Sequence, residues 1–342
     1  MNRDKNEFDI YKYRNCFEDY ADVESKEIIK NSVENPFFTI MIPTYKRSGT
    51  IGYALESALE QLEFFDYEII IVNNQLEGNE DKTLDVINKY PHTRISYYVN
   101  EKNIGLCGNW NRCVELAKGK YIVMLHDDDV LSPYCLASLY EAIKVNDFPV
   151  MVGCTSQTFT SKKLPQFVRP GKLTYRNVNK IGFFYGRYLG IAGMTFRRDT
   201  ALKIGGFADE FYPNEDTILI YQMIHNGKVI NIENVLAGYR TEINLTTSGD
   251  TLEKIILLIE KMRRNIAAHE TFANRFMKNY DREFLYDYIQ GANSCWNVNL
   301  DYKSFFKQFD IVGEPSNLKM CAYRIERKLE RLINEKREKY TL

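Results

Sequence analysis

Apolar runs alternate with amphipathic stretches along the first 150 residues of the chain. Four short runs rich in Ile, Val and Tyr predict buried strands, and the apolar residues between them follow helical spacing. The runs cover residues 37–42, 68–72, 94–99 and 121–125. Nearly continuous apolar strands that alternate with helices are typical of a parallel sheet covered on both faces. The pattern predicts an α/β fold with a Rossmann-like, mostly parallel sheet.

The segments between these strands predict helices. Residues 51–61, residues 81–90 and a stretch that ends at Lys118-Gly119 carry helical spacing. After the fourth strand, Ser132-Pro133 predicts another helix start, with Ser as the N-cap and Pro at the first helical position.

The pattern is mixed beyond residue 150. It predicts strands at 151–157 and 191–197, a mobile or substrate-facing connection at 161–190 and a helix that begins at Glu215-Asp216. Short extended pieces are expected at 228–231 and 236–240, and the chain is expected to be helical from 251, with a break at 313–315 and a last helix over 318–339. The predicted domains are an accessory segment at 1–36, an α/β domain at 37–250 and a helical C-terminal region at 251–342.

Composition narrows the possible partners and compartments. The 342 residues carry a formal net charge of −1, which gives no electrostatic reason to expect nucleic acid as a partner. The seven cysteines include no CxxC pair and are odd in number, which favours a reducing cytoplasmic location without disulfides or a zinc site. The sequence shows no apolar run of membrane-spanning length, so we expect a soluble or peripherally attached protein.

Polar residues follow each of the four predicted parallel strands. In parallel sheets ligands bind outside the carboxyl ends of the strands, so the loops at 44–47, 73–75, 100–103 and 126–129 are expected to share one crevice. Asp127, Asp128 and Asp129 would repel one another there. A divalent cation with oxygen ligands, Mg²⁺ or Mn²⁺, would relieve the repulsion. The alternative is a solvated acidic turn before a helix.

Five motifs in this order resemble one known family. They are Pro43-Thr-Tyr-Lys-Arg47, Asn103-x-Gly105 with Asn111, Gly119-Lys-Tyr121, His126-Asp-Asp-Asp129 and Glu215-Asp216. Together, over residues 37–240, they resemble the family 2 glycosyltransferases with the GT-A fold. The resemblance implies an inverting, Mn²⁺- or Mg²⁺-dependent transfer of a sugar from a nucleotide diphosphate donor, with UDP favoured. The implied acceptor is a hydroxyl of a glycan or a lipid-linked molecule, as in surface polysaccharide synthesis.

The resemblance also implies roles for individual residues. The metal would be held by Asp127, Asp128 and Asp129, the first two also contacting the donor, and Asp216 would be the general base. The remaining implied donor-binding residues are Pro43, Thr44, Tyr45, Arg47, Asn74, Asn103 and Asn111. The family's acid after the second strand is replaced by Asn73-Asn74, so base contact would pass through an amide.

Several of these residues also have structural interpretations. Glu215-Asp216 is equally typical of an ordinary helix start, where the dipole would keep Asp216 ionised. Arg240 could contact a phosphate or serve as a structural Arg. His126 stands where the family often has Asp and could touch the metal, although a His at a strand end is commonly structural. Trp110 is expected to be a packing residue.

The last predicted helix mixes many Lys and Arg residues with Leu318, Ile325, Leu329, Leu332 and Ile333. Such a basic amphipathic face predicts contact with an anionic membrane, at the inner face of the cell membrane, where a lipid-linked acceptor would lie. The interspersed Glu residues allow a second interpretation, a solvated helix stabilised by pairs four residues apart.

Two other function classes remain open at this point. A sugar-nucleotide nucleotidyltransferase would also use carboxylates and a metal, but it would place a Gly-rich basic loop where Pro43–Arg47 stands. A non-catalytic carbohydrate- or nucleotide-binding module on a transferase scaffold is suggested by Asn73-Asn74. The acids at 127–129 and 216 favour the enzyme.

Overall fold

The computed structural model describes residues 8–75, 82–242, 249–334 and 337–341. In these ranges eleven strands form one sheet. The strands are β1 (Ser25–Ile29), β2 (Phe38–Thr44), β3 (Tyr67–Asn73), β4 (Ile95–Asn100), β5 (Tyr121–Met124), β6 (Val130–Leu131), β7 (Met151–Phe159), β8 (Lys172–Val178), β9 (Thr195–Arg197), β10 (Val229–Arg240) and β11 (Arg337–Thr341).

Eleven α-helices accompany the sheet in the described ranges. They are α1 (Ile51–Leu59), α2 (Thr83–Ile87), α3 (Gly105–Leu116), α4 (Cys135–Val145), α5 (Lys180–Phe184), α6 (Arg198–Ile204), α7 (Glu215–Asn226), α8 (Gly249–His269), α9 (Thr271–Trp296), α10 (Tyr302–Gln308) and α11 (Asn317–Asn334). Two short 3-10 helices lie at Cys16–Tyr20 and Asp209–Phe211.

The centre of the sheet is parallel, as the sequence pattern predicts. β4, β3, β2 and β5 are neighbours in this order, and each pair is parallel. Ile40 and Ile42 of β2 belong to a buried cluster with residues of α1 and α4, whereas Met41 belongs to a second cluster with residues of α3 and α7. Burial of each such side chain stabilises the fold by about 1.5–3 kcal/mol. The parallel strands are therefore buried on both faces.

The outer parts of the sheet are mixed, with antiparallel pairs on both sides of the parallel centre. β1, in the predicted accessory segment, pairs antiparallel with β4. On the other side, β9 pairs antiparallel with β5 and β7, and β10 pairs parallel with β7 but antiparallel with β8. These pairings join segments far apart in sequence, which local periodicity does not reveal.

Several predicted element boundaries are wrong. The expected connection at 161–190 contains β8 and α5, and the expected strand at 191–197 shortens to β9. The two extended pieces at 228–240 are one strand, β10, whose register with β7 shifts between Ile232 and Ala237. That irregularity explains why the apolar pattern is interrupted there.

Three predicted helices also differ. The helix at 81–90 is reduced to α2, and residue 81 lies outside the described residues. α4 begins at Cys135, after a turn in which the Tyr134 N–H donates to Ser132 Oγ at 3.3 Å and the Cys135 N–H donates to Ser132 O at 2.9 Å. The last helix, α11, ends at Asn334, and β11 then pairs antiparallel with β8. The break before α11 is confirmed, because residues 309–316 form no helix.

A buried carboxylate secures the start of β5. Glu68 is fully buried and accepts hydrogen bonds from Thr39 Oγ1 at 2.7 Å and from the Lys118 N–H at 2.7 Å. The Gly119 N–H donates to Thr39 Oγ1 at 2.8 Å. A Cβ on Gly119 would lie 2.5 Å from the Thr39 nitrogen, closer than atoms pack. Position 119, two residues before β5 begins, therefore requires glycine.

We expect Gly119→Ala to lower the free energy of unfolding by about 1–3 kcal/mol, because the added methyl group collides with the backbone of β2. Gly291→Ala is the matched control, since nothing lies within 4 Å of a Cβ there. This control should gain up to about 1 kcal/mol from helix propensity. Urea denaturation of both variants measures the difference. Equal stability of the two would contradict the packing described for Gly119.

Candidate active site

The three acids form a turn between β5 and β6. β6 pairs antiparallel with β10, and the Asp129 N–H donates to His126 O at 3.2 Å. The turn therefore lies at the carboxyl end of the parallel strands. This is the edge where the sequence places the ligand crevice.

Arg240, at the end of β10, holds the turn formed by Asp127, Asp128 and Asp129 in place. We call this turn the acid turn. Arg240 is 1% exposed, its Nε donates to Asp128 O at 2.8 Å and its backbone N–H donates to Asp129 Oδ1 at 2.9 Å. Its guanidinium also contacts the rings of Phe159 and Tyr53. Of the two sequence interpretations, the structure supports the structural Arg.

The three carboxylates point in different directions. Asp127 Oδ2 accepts a hydrogen bond from Thr44 Oγ1 at 2.7 Å, and burial raises the pKa of Asp127 to about 6. Asp128 Oδ2 lies 3.5 Å from Arg47 Nη1. Burial, followed by the charge of Asp129, also raises the pKa of Asp128. Neutralising these acids is therefore favourable, which is what a bound cation does.

The ligand atoms of His126, Asp128 and Asp129 all lie within 4.8 Å of one another. Asp129 Oδ2 lies 3.5 Å from His126 Nδ1. Among the described residues, neither Asp129 Oδ2 nor His126 Nε2 has a hydrogen-bond partner, although both are buried. Nitrogen and oxygen donors with spare valence at this spacing fit Mn²⁺ or Mg²⁺. The structure thus brings His126 into the candidate metal set and places Asp127 against Thr44 instead.

His126 is held by packing as well as by charge. Its ring stacks on buried Trp110 with centroids 5.4 Å apart, and Trp110 packs edge-on against Phe207. Burial alone would lower the pKa of His126, but its contact with Asp129 and the charges of the three acids raise it. Trp110 is a packing residue, as expected.

The expected donor-binding asparagines are largely committed to internal hydrogen bonds. Asn74 donates to Asn103 Oδ1 and Gly105 O and accepts from the Ile104 N–H and Asn100 Nδ2, at distances of 2.8–3.1 Å. With all of these bonds made, Asn74 holds two loops together. A base contact through this amide, which stays a prediction, would have to form beside these four bonds.

Asn111 has a similar structural position. Its side chain accepts from the Phe207 N–H at 2.7 Å and donates to Phe207 O at 2.8 Å. Asn111 is buried, and these two bonds join α3 to the segment before α7. It supports the site rather than lining it.

In the loop that follows β2, Tyr45 is exposed and Arg47 is partly exposed. Pro43 and Thr44 are buried at the end of β2, whereas Tyr45 is 42% exposed. Hydrogen bonding to exposed Asn103, followed by Lys46, lowers the pKa of Tyr45. Tyr45, Arg47 and Asn103 therefore border the crevice next to the acid turn.

A second pair of acids lies at the start of α7. Glu215 and Asp216 are 5% and 7% exposed, and Asp216 Oδ1 accepts a hydrogen bond from Thr217 Oγ1 at 3.1 Å. Burial, then the charge of Asp216, raises the pKa of Glu215 to about 8. Burial also raises the pKa of Asp216, although hydrogen bonds from the Thr217 backbone and side chain lower it in part. The charge of His126 acts on both carboxyls and opposes the rise in their pKa, which indicates that the acid pair lies near the acid turn.

Residues of the N-terminal segment bond to the part of the chain just before Asp216. The sequence did not predict this contact. Tyr20 Oη donates to Asp209 Oδ2 at 2.6 Å, and Arg14 Nη2 pairs with Glu210 at 2.7 Å. The Cys16 N–H donates to Gly205 O at 3.0 Å. These contacts attach the predicted accessory segment to residues 205–210.

Comparison with known proteins gives a family match. Residues 39–202 match the family model described as Glycosyl transferase family 2. The chain is 26% identical over 188 residues to the GalNAc(5)-diNAcBac-PP-undecaprenol beta-1,3-glucosyltransferase of Campylobacter jejuni, covering 54% of this chain and 59% of that protein. It is 26% identical over 261 residues to the succinoglycan biosynthesis protein ExoO of Rhizobium meliloti, covering 70% and 69%.

A further relative is an uncharacterized glycosyltransferase, the MG025 homolog of Mycoplasma pneumoniae, with 31% identity over 141 residues, 39% of this chain and 44% of that protein. The chain thus spans about half the length of the Mycoplasma and Campylobacter relatives. Among solved structures, S. aureus TarS 1–349 in complex with UDP-GlcNAc has a TM-score of 0.54 and 18% identity, covering 70% of this chain and 72% of that one. At this identity the likeness shows the fold alone, and it confirms the expected GT-A fold.

Glu215→Gln is expected to remove a pH-dependent cost to stability. The pKa of Glu215 is raised from 4.5 to about 8 in the folded protein, so its unfolded form loses the proton first as the pH rises. The folded protein therefore loses stability between about pH 5 and pH 8. The variant should match the parent near about pH 5 and be about 1–3 kcal/mol more stable near about pH 8.

Urea unfolding at the two pH values measures this difference. The control is Glu34→Gln, which removes an exposed acid and should show no pH-dependent gain. A Glu215→Gln variant that is less stable than the parent at the higher pH would mean that Glu215 is not held protonated by burial.

Proposed function

We propose that this chain, which carries a family 2 glycosyltransferase domain, transfers a sugar from a nucleotide diphosphate donor to a hydroxyl of a glycan or lipid-linked acceptor. The observation that carries the proposal is the candidate metal set of His126, Asp128 and Asp129, with a buried acid pair, Glu215 and Asp216, within reach of the charge of His126. Relatives named for undecaprenol-linked glucosyl transfer and succinoglycan biosynthesis support surface polysaccharide synthesis as its setting. The UDP-GlcNAc complex of TarS supports UDP as the nucleotide.

His126, Asp128 and Asp129 would hold the divalent cation, Mn²⁺ or Mg²⁺. Such a cation neutralises the negative charge that grows on the departing nucleoside diphosphate. The chain prepares this position by largely burying the carboxylates and by fastening the turn through Arg240. Asp129 Oδ2 and His126 Nε2 accept or donate no hydrogen bond in the part of the chain that the structure describes. Asp127 positions the first loop through Thr44.

Tyr45, Arg47 and Asn103 would bind the nucleotide portion of the donor. The exposed ring of Tyr45 offers an aromatic face to the nucleobase, and the guanidinium of Arg47 suits a phosphate or ribose oxygen. Arg47 also lies beside Asp128, so binding at the two positions would be linked.

Asp216 is the proposed general base. In an inverting displacement the acceptor oxygen attacks the anomeric carbon from the face opposite the diphosphate, and the bond from that carbon to the diphosphate oxygen breaks. The acceptor hydroxyl proton passes to the Asp216 carboxylate. The raised pKa of Asp216 makes it a stronger base than an exposed Asp, and the bond from Thr217 fixes its orientation.

Asp216→Asn should lower kcat about 10²–10⁴-fold, because the amide cannot accept the proton, while donor affinity changes little. The measurements are release of nucleoside diphosphate with acceptor present and calorimetric titration of the donor. Asp85→Asn, an exposed acid on α2, is the matched control and should retain full turnover. Near-normal turnover by Asp216→Asn would reject the proposed base.

Asp129→Asn should abolish the dependence of donor binding on Mn²⁺, because it removes the charge of the proposed metal ligand. Asp127→Asn should retain that dependence, since its partner is Thr44. Calorimetry with a UDP-sugar, with and without Mn²⁺, compares these two isosteric variants. The opposite result, with metal dependence lost only in Asp127→Asn, would contradict the proposed ligand set.

A further inference from the structure

The helix α11 presents an apolar face to solvent. Leu318, Ile325, Leu329 and Leu332 recur at helical spacing, and Ile333 extends the same face. Leu318 is 83% exposed, Leu332 is 70% exposed and Ile325 is 54% exposed. Single exposed aliphatic side chains are common, but a row of five along one helix is typical of an interaction surface.

The opposite face of α11 is already used for packing. Tyr323 is fully buried and contacts the rings of Phe276, Tyr280 and Phe284 of α9. The exposed apolar residues are therefore not part of the contact between α11 and α9. The helix is held against α9 with its apolar side outward.

A cationic groove runs along one flank of the apolar face. It has a volume of about 290 Å³ and is lined by Tyr185, Arg187, Arg324, Arg327, Lys328 and Arg331. α11 itself carries five Lys and Arg residues against two Glu residues. Cations beside an exposed apolar face complement an anionic lipid surface, where lipid tails take up the apolar side chains and headgroups meet the charges.

Two cations of the groove pair with an acid of the neighbouring helix α9. Asp287 of α9 accepts from Arg324 at 3.0 Å and from Arg327 at 3.3 Å, and Glu326 bonds the hydroxyl of Tyr280. Arg324 and Arg327 thus direct their charges to α9 rather than to the Glu residues of their own helix. A solvated helix stabilised by ion pairs between its own residues would show no exposed row of apolar side chains.

We propose that α11 docks the protein on an anionic phospholipid bilayer, with its apolar row in the interface and its cationic groove against lipid phosphates. Within the described ranges no helix combines the length and apolar character needed to span a bilayer. A contact through one amphipathic helix face lies in the plane of the membrane interface. It is independent of the transfer reaction, because it requires neither donor nor acceptor.

Cys321 allows the contact to be measured at α11. Cys321 and Cys295 are exposed, whereas Cys16, Cys107, Cys113, Cys135 and Cys154 are buried. With Cys295→Ser, a polarity-sensitive fluorophore on Cys321 should shift to the blue when phosphatidylglycerol vesicles are added, but not with phosphatidylcholine vesicles. Added salt should reduce the shift, because it screens the attraction. The fluorophore on Cys295, with Cys321→Ser, is the matched probe and should not respond.

Two double variants separate the contribution of the cationic groove to membrane binding from that of the apolar row. Lys328→Glu with Arg331→Glu, and separately Leu329→Ser with Leu332→Ser, should each lower vesicle partitioning by about tenfold or more. The matched controls are Lys89→Glu with Lys102→Glu and Val168→Ser with Val312→Ser, which alter exposed residues elsewhere and should bind as the parent does. Circular dichroism of every variant checks that it is folded.

Four results would overturn the proposal. They are no binding of the parent to either vesicle, equal binding to both, binding that the α11 variants leave unchanged, and a parent dimer in light scattering that the Leu329→Ser, Leu332→Ser variant dissociates. The last result would identify the apolar row as a contact between copies of the chain. Loss of vesicle binding with transfer intact would leave the proposed catalytic function standing.

Discussion

Three carboxylates in succession at the end of a buried strand repel one another, and the surrounding structure is arranged to hold them in place. Arg240 ties the turn to β10 through Asp128 O and Asp129 Oδ1. Thr44, at the end of β2, donates a hydrogen bond to Asp127. Stacking on Trp110 fixes the ring of His126. These contacts hold the acidic side chains apart, but they do not cancel the negative charge of the turn. A buried cluster of this kind costs stability, which is typical of sites built for a charged ligand.

The same constraint governs the second acidic cluster. Glu215 and Asp216 begin α7 but are buried, and burial raises the pKa of both. A buried base gains proton affinity at the expense of folding stability. The N-terminal segment, through Tyr20 and Arg14, stabilises the chain just before this pair. Segments far apart in sequence thus support one carboxylate.

The sequence predicts the parallel centre of the sheet because β2 to β5 are local, apolar and regularly spaced. It does not predict β1, β8 or β11, whose partners are distant in the chain and whose residues alternate less clearly. The positions of Asp128, Asp129 and Asp216 follow from the family resemblance. The internal roles of Asn74, Asn111 and Arg240 depend on which polar groups the fold brings beside them, and residue type alone does not encode that.

The proposed cation position at the acid turn links the fold to the chemistry, because the turn follows β5 and contacts the first loop through Asp127 and Asp128. Anomalous diffraction at the manganese edge, from crystals grown with Mn²⁺ and a UDP-sugar, locates the ion directly. The account predicts a peak bonded to at least two of His126, Asp128 and Asp129, with the donor diphosphate on its open side toward Asp216. A donor-bound crystal with no peak at this turn, or with the ion held by Asp127 alone, would contradict it.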